Sequence, residues 1–133
     1  MKWLLIAQLV FSPHARAQML ELSNQLDVEH AACMVGSVAD NVAHVDSLVT
    51  LGAERAGRRY IVPAGACADV AHTLGVVHSH PDSERCWYLF PGTLVSTSDL
   101  ASFLAQPWPI DAIACGSIVV WVNRASMQGA QQL

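Results

Sequence analysis

The chain opens with an apolar run from Trp3 to Phe11, broken only by Gln8, and Ser12-Pro13 follows it. Serine is a preferred helix N-cap and proline suits the first helical position, so a helix is expected to start there. Ala15, Met19, Leu22 and Leu26 then fall on one helical face, which predicts a buried edge strand feeding an amphipathic helix. The same stretch also has the outline of a short secretory leader: Lys2, the apolar run, then Ala15-Arg16-Ala17. It is too short to span a membrane.

Farther along, His30–Val38 reads as a buried strand and Val42–Thr50 as its hairpin neighbour. Arg59–Val62 is a short strand stopped by Pro63, and the Ala-rich stretch Ala64–Leu74 predicts a short helix ending at Gly75. Val76–His80 is a strand closed by Pro81. Residues 82–95 have no regular period but carry Cys86-Trp87-Tyr88-Leu89-Phe90, an apolar cluster that a fully solvated loop would not hold. Ser96 or Ser98 can cap a helix running to about Ala105, and Ile110–Ala114 and Ser117–Asn123 close the chain as strands. Strands interleaved with helices predict an α/β, sandwich-like single domain over residues 1–133, with one mixed, largely antiparallel sheet flanked by helices.

Composition narrows the classes. With 133 residues, 53% of them hydrophobic and only 14% charged, the chain can bury a core and does not resemble a disordered protein. A net charge of −4 with seven Lys and Arg leaves no basic footprint for nucleic acid. The four cysteines, Cys33, Cys67, Cys86 and Cys115, form no C-x-x-C pair, so buried thiols and a reducing cytoplasm are expected.

The chemistry gathers at His78-Ser79-His80. On a strand, residues two apart project from one face, so both imidazoles point one way and Ser79 the other. Two neutral imidazoles suit zinc, which in a catalytic site takes three protein ligands and a water. Asp99, in the first turn of the next predicted helix, is the third candidate. Six histidines in the chain make such a pair possible by chance, so the surrounding residues matter. Glu29 leads the apolar strand His30-Ala31-Ala32-Cys33-Met34-Val35-Gly36, where a carboxylate must pair, reach a metal or sit at the rim. An unligated carboxylate beside a metal can take a proton from water and pass it to a leaving amine. Ser96 can donate a hydrogen bond to a developing oxyanion, or simply cap a helix.

Glu29 followed seven residues later by Gly36, then His78-Ser79-His80-Pro81, then Ser96 with Asp99, resembles the JAMM motif that defines the JAB/MPN metalloproteases. The resemblance implies an MPN-like domain spanning nearly the whole chain and a zinc isopeptidase. One catalytic Zn2+ would be held by His78, His80 and Asp99, with Glu29 and Ser96 catalytic. It also assigns Trp3–Leu26 to the domain's opening strand and helix rather than to a leader. The segment Asp82–Val95 is longer than that family's usual spacing. Asp82 is a fallback ligand, but it lies too close to His80 in the chain to reach the same ion without strain.

The resemblance implies a ubiquitin-like protein or its conjugates as partner, cleaved after a C-terminal glycine tail, with neither nucleic acid nor membrane involved. Two alternatives follow from it: a JAB-type endopeptidase of the phage-tail or sulfur-carrier-processing kind, and a non-catalytic MPN scaffold. Trp87, Tyr88 and Phe90 are expected to lie over the substrate groove as anchors. Cys33, four residues past Glu29, is expected as an inert buried thiol.

Overall fold

The computed structural model describes residues 5–82, 86–90 and 97–133. The opening apolar run becomes strand β1 (Gln8–Phe11), and the predicted cap is present: Ser12 Oγ accepts the Ala15 N–H at 3.0 Å and starts helix α1 (Pro13–Ser23). Ala15, Met19 and Leu22 of α1 are buried, as their spacing requires, whereas Leu26 lies past the helix end and is exposed. Strands β2 (Ala31–Ala39) and β3 (Val42–Leu51) form the expected hairpin. Its two-residue turn, Asp40-Asn41, takes positive φ at both positions, the backbone that matches the twist of paired strands.

The middle of the chain departs from expectation. The short strand expected over Arg59–Val62 is present as β5 (Tyr60–Pro63), but it pairs with an unexpected strand, β4 (Ala53–Gly57), as a separate hairpin. The Ala-rich stretch 64–74 is not a helix: it holds one 3-10 turn, Cys67–Asp69, and runs into strand β6 (Thr73–Ser79). Helix propensity there yields to pairing, since β6 bonds β2 on one side and the later strand β7 (Ile110–Cys115) on the other. Helix α2 (Ser98–Leu104) precedes β7, and β8 (Ile118–Asn123) and β9 (Gln128–Gln132) end the chain.

Seven strands form one sheet in the order β1-β3-β2-β6-β7-β8-β9. Most pairs are antiparallel; β1–β3 and β6–β7 are parallel. The predicted helix-flanked α/β, MPN-like architecture is therefore corrected. Strand takes 48% of the described residues against 18% helix, with two α-helices, and the sheet curls into a nearly closed, barrel-like form. The curl brings β8 back to the start of the chain, where Asn123 Nδ2 donates to the Ile6 carbonyl at 2.9 Å. Strands such as β4 and β9, which lack an apolar alternation, supply the excess of sheet.

The sheet's two faces hold different interiors. Leu9, Met19, Met34, Val77, Ala112 and Trp121 pack with α1 on one face. Tyr88, Leu100, Phe103, Ile113, Val120 and Val122 pack with α2 on the other. Parallel β6 and β7 cannot be joined by a tight turn, so the chain must cross over between them, and α2 lies in that crossover. This sets the helix beside the C-terminal end of β6, the kind of crevice where parallel strands commonly present ligands. No helix among the described residues is long and apolar enough to cross a membrane.

All four cysteines are paired, Cys33 with Cys67 and Cys86 with Cys115, which corrects the expectation of buried thiols. The first bridge ties the 3-10 turn to β2, and the second ties the 86–90 segment to the end of β7.

Candidate metal centre

Period two along β6 does what the sequence requires. His78 lies on the α2 face, Val77 packs in the opposite core, and Ser79 faces away, its Oγ accepting the His30 N–H at 2.9 Å. His80, just past the strand, is held by its own N–H donating to the Ala114 carbonyl at 3.0 Å. The two rings converge, with Nε2 atoms 3.0 Å apart. Asp99 completes the convergence, with one carboxylate oxygen 3.3 Å from His78 Nε2 and the other 3.4 Å from His80 Nε2. Its helix is anchored by Thr97, whose hydroxyl accepts the Leu100 N–H at 3.3 Å. Thr97 is thus the cap, rather than Ser96 or Ser98. Ser96, the predicted oxyanion donor, lies outside the described residues.

Glu29 is 4% exposed, and its N–H donates to the Gly57 carbonyl at 2.8 Å, which ties the start of β2 to the β4–β5 hairpin. Glu29, His78 and His80 each offer a ligand atom, all within 4.8 Å of one another, and form a group that can hold a metal ion. Gly36 also has a local reason: the β2–β3 register shifts between Val35 and Gly36, and a Cβ at Gly36 would collide with the His44 carbonyl.

The donor set suits a metal ion. Donors on one tetrahedral ion at metal–ligand distances of ~2.0–2.2 Å lie roughly 3.3 Å apart; the two Nε2 atoms are 3.0 Å apart, and Asp99 sets one oxygen 3.3 Å from His78 and the other 3.4 Å from His80. The buried His80 ring has no hydrogen-bond partner at Nδ1 among the described residues, so its only polar contacts are made through Nε2 at the convergence point.

The electrostatics reflect three carboxylates around two rings. Burial works to lower the His78 pKa, but its hydrogen bond to Asp99 and the fields of Asp111, Asp99 and Glu29 outweigh it and raise the value. For Asp99, burial pushes upward while hydrogen bonds to His78 and His80 prevail and hold it well below the usual carboxylate range. Asp111, on β7, is pushed up to about 7 by burial, against the opposing pull of His78 and of the hydrogen bond donated by the Tyr88 hydroxyl at 2.7 Å.

The cluster sits in a groove of about 340 Å³. Tyr60, Ile61 and Pro63 of the β4–β5 hairpin form one wall and Ser98, Asp99 and Ser102 of α2 the other. Asp111 lines the groove and was not among the expected site residues, although a carboxylate inside a six-residue strand that is buried throughout gives the same kind of signal as Glu29. Asp82 points elsewhere, pairing with Arg59 at 3.5 Å.

The expected aromatic anchors are corrected in part. Tyr88 is fully buried and Trp87 packs against the α2-side core, which leaves Phe90, 47% exposed, as the one of the three that faces solvent. The described part of the 82–95 segment thus contributes core, because Cys86 and Tyr88 have an apolar face to fill. The chain matches no protein-family model and no curated protein.

Proposed function

We propose that this chain is a zinc-dependent peptidase of the JAMM type, with His78, His80 and Asp99 holding one Zn2+ and Glu29 as the catalytic base. The observation that carries the reading is the convergence of two imidazole nitrogens with the Asp99 carboxylate and the buried Glu29. Zinc supplies Lewis acidity, polarising a carbonyl and acidifying a water. Glu29, buried and close to both rings, takes a proton from water and returns it to the leaving amine. Asp99, kept ionised by its histidine contacts, holds the rings in place and contributes the negative charge that a divalent cation needs.

The groove suits a peptide. Among the described residues β5 pairs only with β4, so its other edge can hydrogen-bond an extended chain laid between hairpin and helix. The preferred substrate is the glycine-ended tail of a ubiquitin-like modifier, joined to a lysine or to a following peptide. A second reading is favoured by the two disulfides, which persist in oxidising compartments rather than in the expected cytoplasm. It is an endopeptidase of the same chemistry acting on another peptide.

Elemental analysis of protein purified without added metal should give one zinc per chain, lost when His78 and His80 are both changed to Ala. Glu29→Gln should keep zinc and fold yet lower turnover by about 10²–10⁴-fold. Comparing a conjugate ending in Gly-Gly with unrelated peptides separates the two readings. Zinc that survives loss of both histidines, or wild-type turnover in the Gln variant, overturns the assignment.

A further inference from the structure

We propose that the Cys86–Cys115 disulfide positions the metal ligand Asp99, so that the zinc site is complete only in the oxidised chain. This rests on the reading of His78, His80 and Asp99 as zinc ligands and goes beyond it by making the site conditional on a redox state.

The two histidines need no such support. They lie on and next to β6, which is bonded on both sides within the sheet. Asp99 is different, because it rides on a seven-residue helix in a crossover, and a helix that short has little stability of its own. Its N-terminus is tied to the 86–90 segment: the Thr97 N–H donates to the Tyr88 carbonyl at 2.9 Å. Tyr88 is itself fixed three ways, with its ring fully buried, its hydroxyl donating to Asp111 at 2.7 Å, and its N–H donating to Gln128 Oε1 at 3.1 Å. Gln128 also accepts from the Leu89 N–H at 3.1 Å and donates to the Leu89 carbonyl at 2.8 Å. The covalent anchor of this segment is Cys86, bonded to Cys115 at the end of β7. The sheet thus reaches Tyr88 covalently through the disulfide and by hydrogen bonds through Asp111 and Gln128, and Tyr88 in turn holds Thr97 and Asp99.

Opening the bridge needs a dithiol as reductant. The Cys86–Cys115 sulfur–sulfur bond breaks, each cysteine gains one hydrogen, and the dithiol closes to its own disulfide. Segment 86–90 then keeps only its burial and hydrogen bonds, and the Thr97 contact loses its covalent support. The other bridge is a built-in control. Cys33–Cys67 joins β2 to the 3-10 turn and does not touch the segment that holds α2.

The test is a zinc titration of metal-free protein, following the affinity for Zn2+ alone, with thermal unfolding in parallel. Three chains are compared: wild type in its oxidised form, Cys86→Ser with Cys115→Ser, and Cys33→Ser with Cys67→Ser. The expected result is at least a tenfold loss of zinc affinity in the first double variant, and an affinity within twofold of wild type in the second, although both unfold at lower temperature. Gln128→Ala, which frees the 86–90 backbone without opening the bridge, should lose about threefold; if the first double variant does not fold, the Cys33→Ser, Cys67→Ser chain reduced at its remaining bridge is titrated in its place, with the same tenfold loss expected. Equal zinc affinity in all chains, or equal loss in both double variants, overturns the positioning role while leaving the site assignment intact. A wild-type chain that binds no zinc overturns both.

Discussion

The two faces of the seven-stranded sheet are built from the same alternating strands but for different ends. The α1 face is closed by aliphatic, sulfur-containing and aromatic side chains, with no buried charged group among the described residues there. The α2 face buries Glu29, His80 and Asp111, and His78 and Asp99 lie close by. Buried carboxylates and imidazoles carry a desolvation cost that apolar side chains do not, so the α1 face must supply stability that the α2 face gives up. The α2 face in turn keeps its groups poised, as the opposite shifts of Asp99 and Asp111 show. Two carboxylates lining one groove differ because hydrogen bonds to two histidines outweigh burial at Asp99, whereas burial prevails at Asp111 over the pull of His78 and the Tyr88 hydroxyl.

That division predicts where a mutation acts. Met19→Ala empties a fully buried position in the α1 core. It should cost about 2–5 kcal/mol, the range for truncating a core methionine, and leave zinc affinity unchanged under conditions where the variant remains folded. Chemical denaturation and zinc titration on the same samples check both parts. A Met19→Ala chain that stays folded but binds zinc poorly would show that the faces are coupled and the division is false.

Asp111→Asn tests the opposite face. Burial raises Asp111 from 3.8 to about 7 in the folded chain, so the folded state holds a proton that the unfolded state has already released. Stability must then fall as pH rises from about 4 to about 7, and asparagine, which still accepts from Tyr88, has no such slope. The variant should match wild type near the low end of that window and exceed it above the upper end by roughly 4 kcal/mol, since each tenfold change in an ionisation equilibrium is worth about 1.4 kcal/mol. Unfolding of metal-free protein across that pH range is the measurement. A constant difference between the two chains at every pH would mean that Asp111 is not held protonated.

The difference between the faces also explains what the sequence made legible. His78 and His80 were readable because period two is a property of the backbone, and Glu29 because a carboxylate leading an apolar strand demands a reason. Asp99 was readable from its place near a helix start, although the cap turned out to be Thr97. Tyr88 and Cys86 were visible as members of an apolar cluster, but their roles depend on Asp111 and Cys115, residues far along the chain. Four cysteines allow three pairings, and spacing selects none of them. The sequence misleads about architecture where propensity and pairing disagree: Ala64–Leu74 favours helix locally, whereas β6 is claimed by strands on both sides. Strand β9, Gln128–Gln132, has no apolar alternation to announce it and owes its existence to β8.

The smallest expected effect gives the sharpest comparison, because the two α-helices are capped by the same chemistry on opposite faces. Ser12 accepts from Ala15 N–H at the start of α1, and Thr97 accepts from Leu100 N–H at the start of α2. Replacing either by alanine removes one cap bond and should cost about 1 kcal/mol of stability. Ser12→Ala also loses the bond its hydroxyl donates to the Asp46 carbonyl at 2.7 Å, so its thermal penalty should be the larger of the two. Zinc affinity should show the reverse order. Helix α1 carries no ligand, while α2 presents Asp99 two residues after its cap, and a cap loss of about 1 kcal/mol expressed at the ligand corresponds to roughly fivefold in affinity. Thr97→Ala should therefore weaken zinc binding by a few fold with a small change in unfolding temperature, and Ser12→Ala should lower the unfolding temperature with zinc binding untouched. If both variants lose zinc affinity in proportion to their lost stability, α2 aims Asp99 no better than any folded scaffold would, and the two faces differ only in composition.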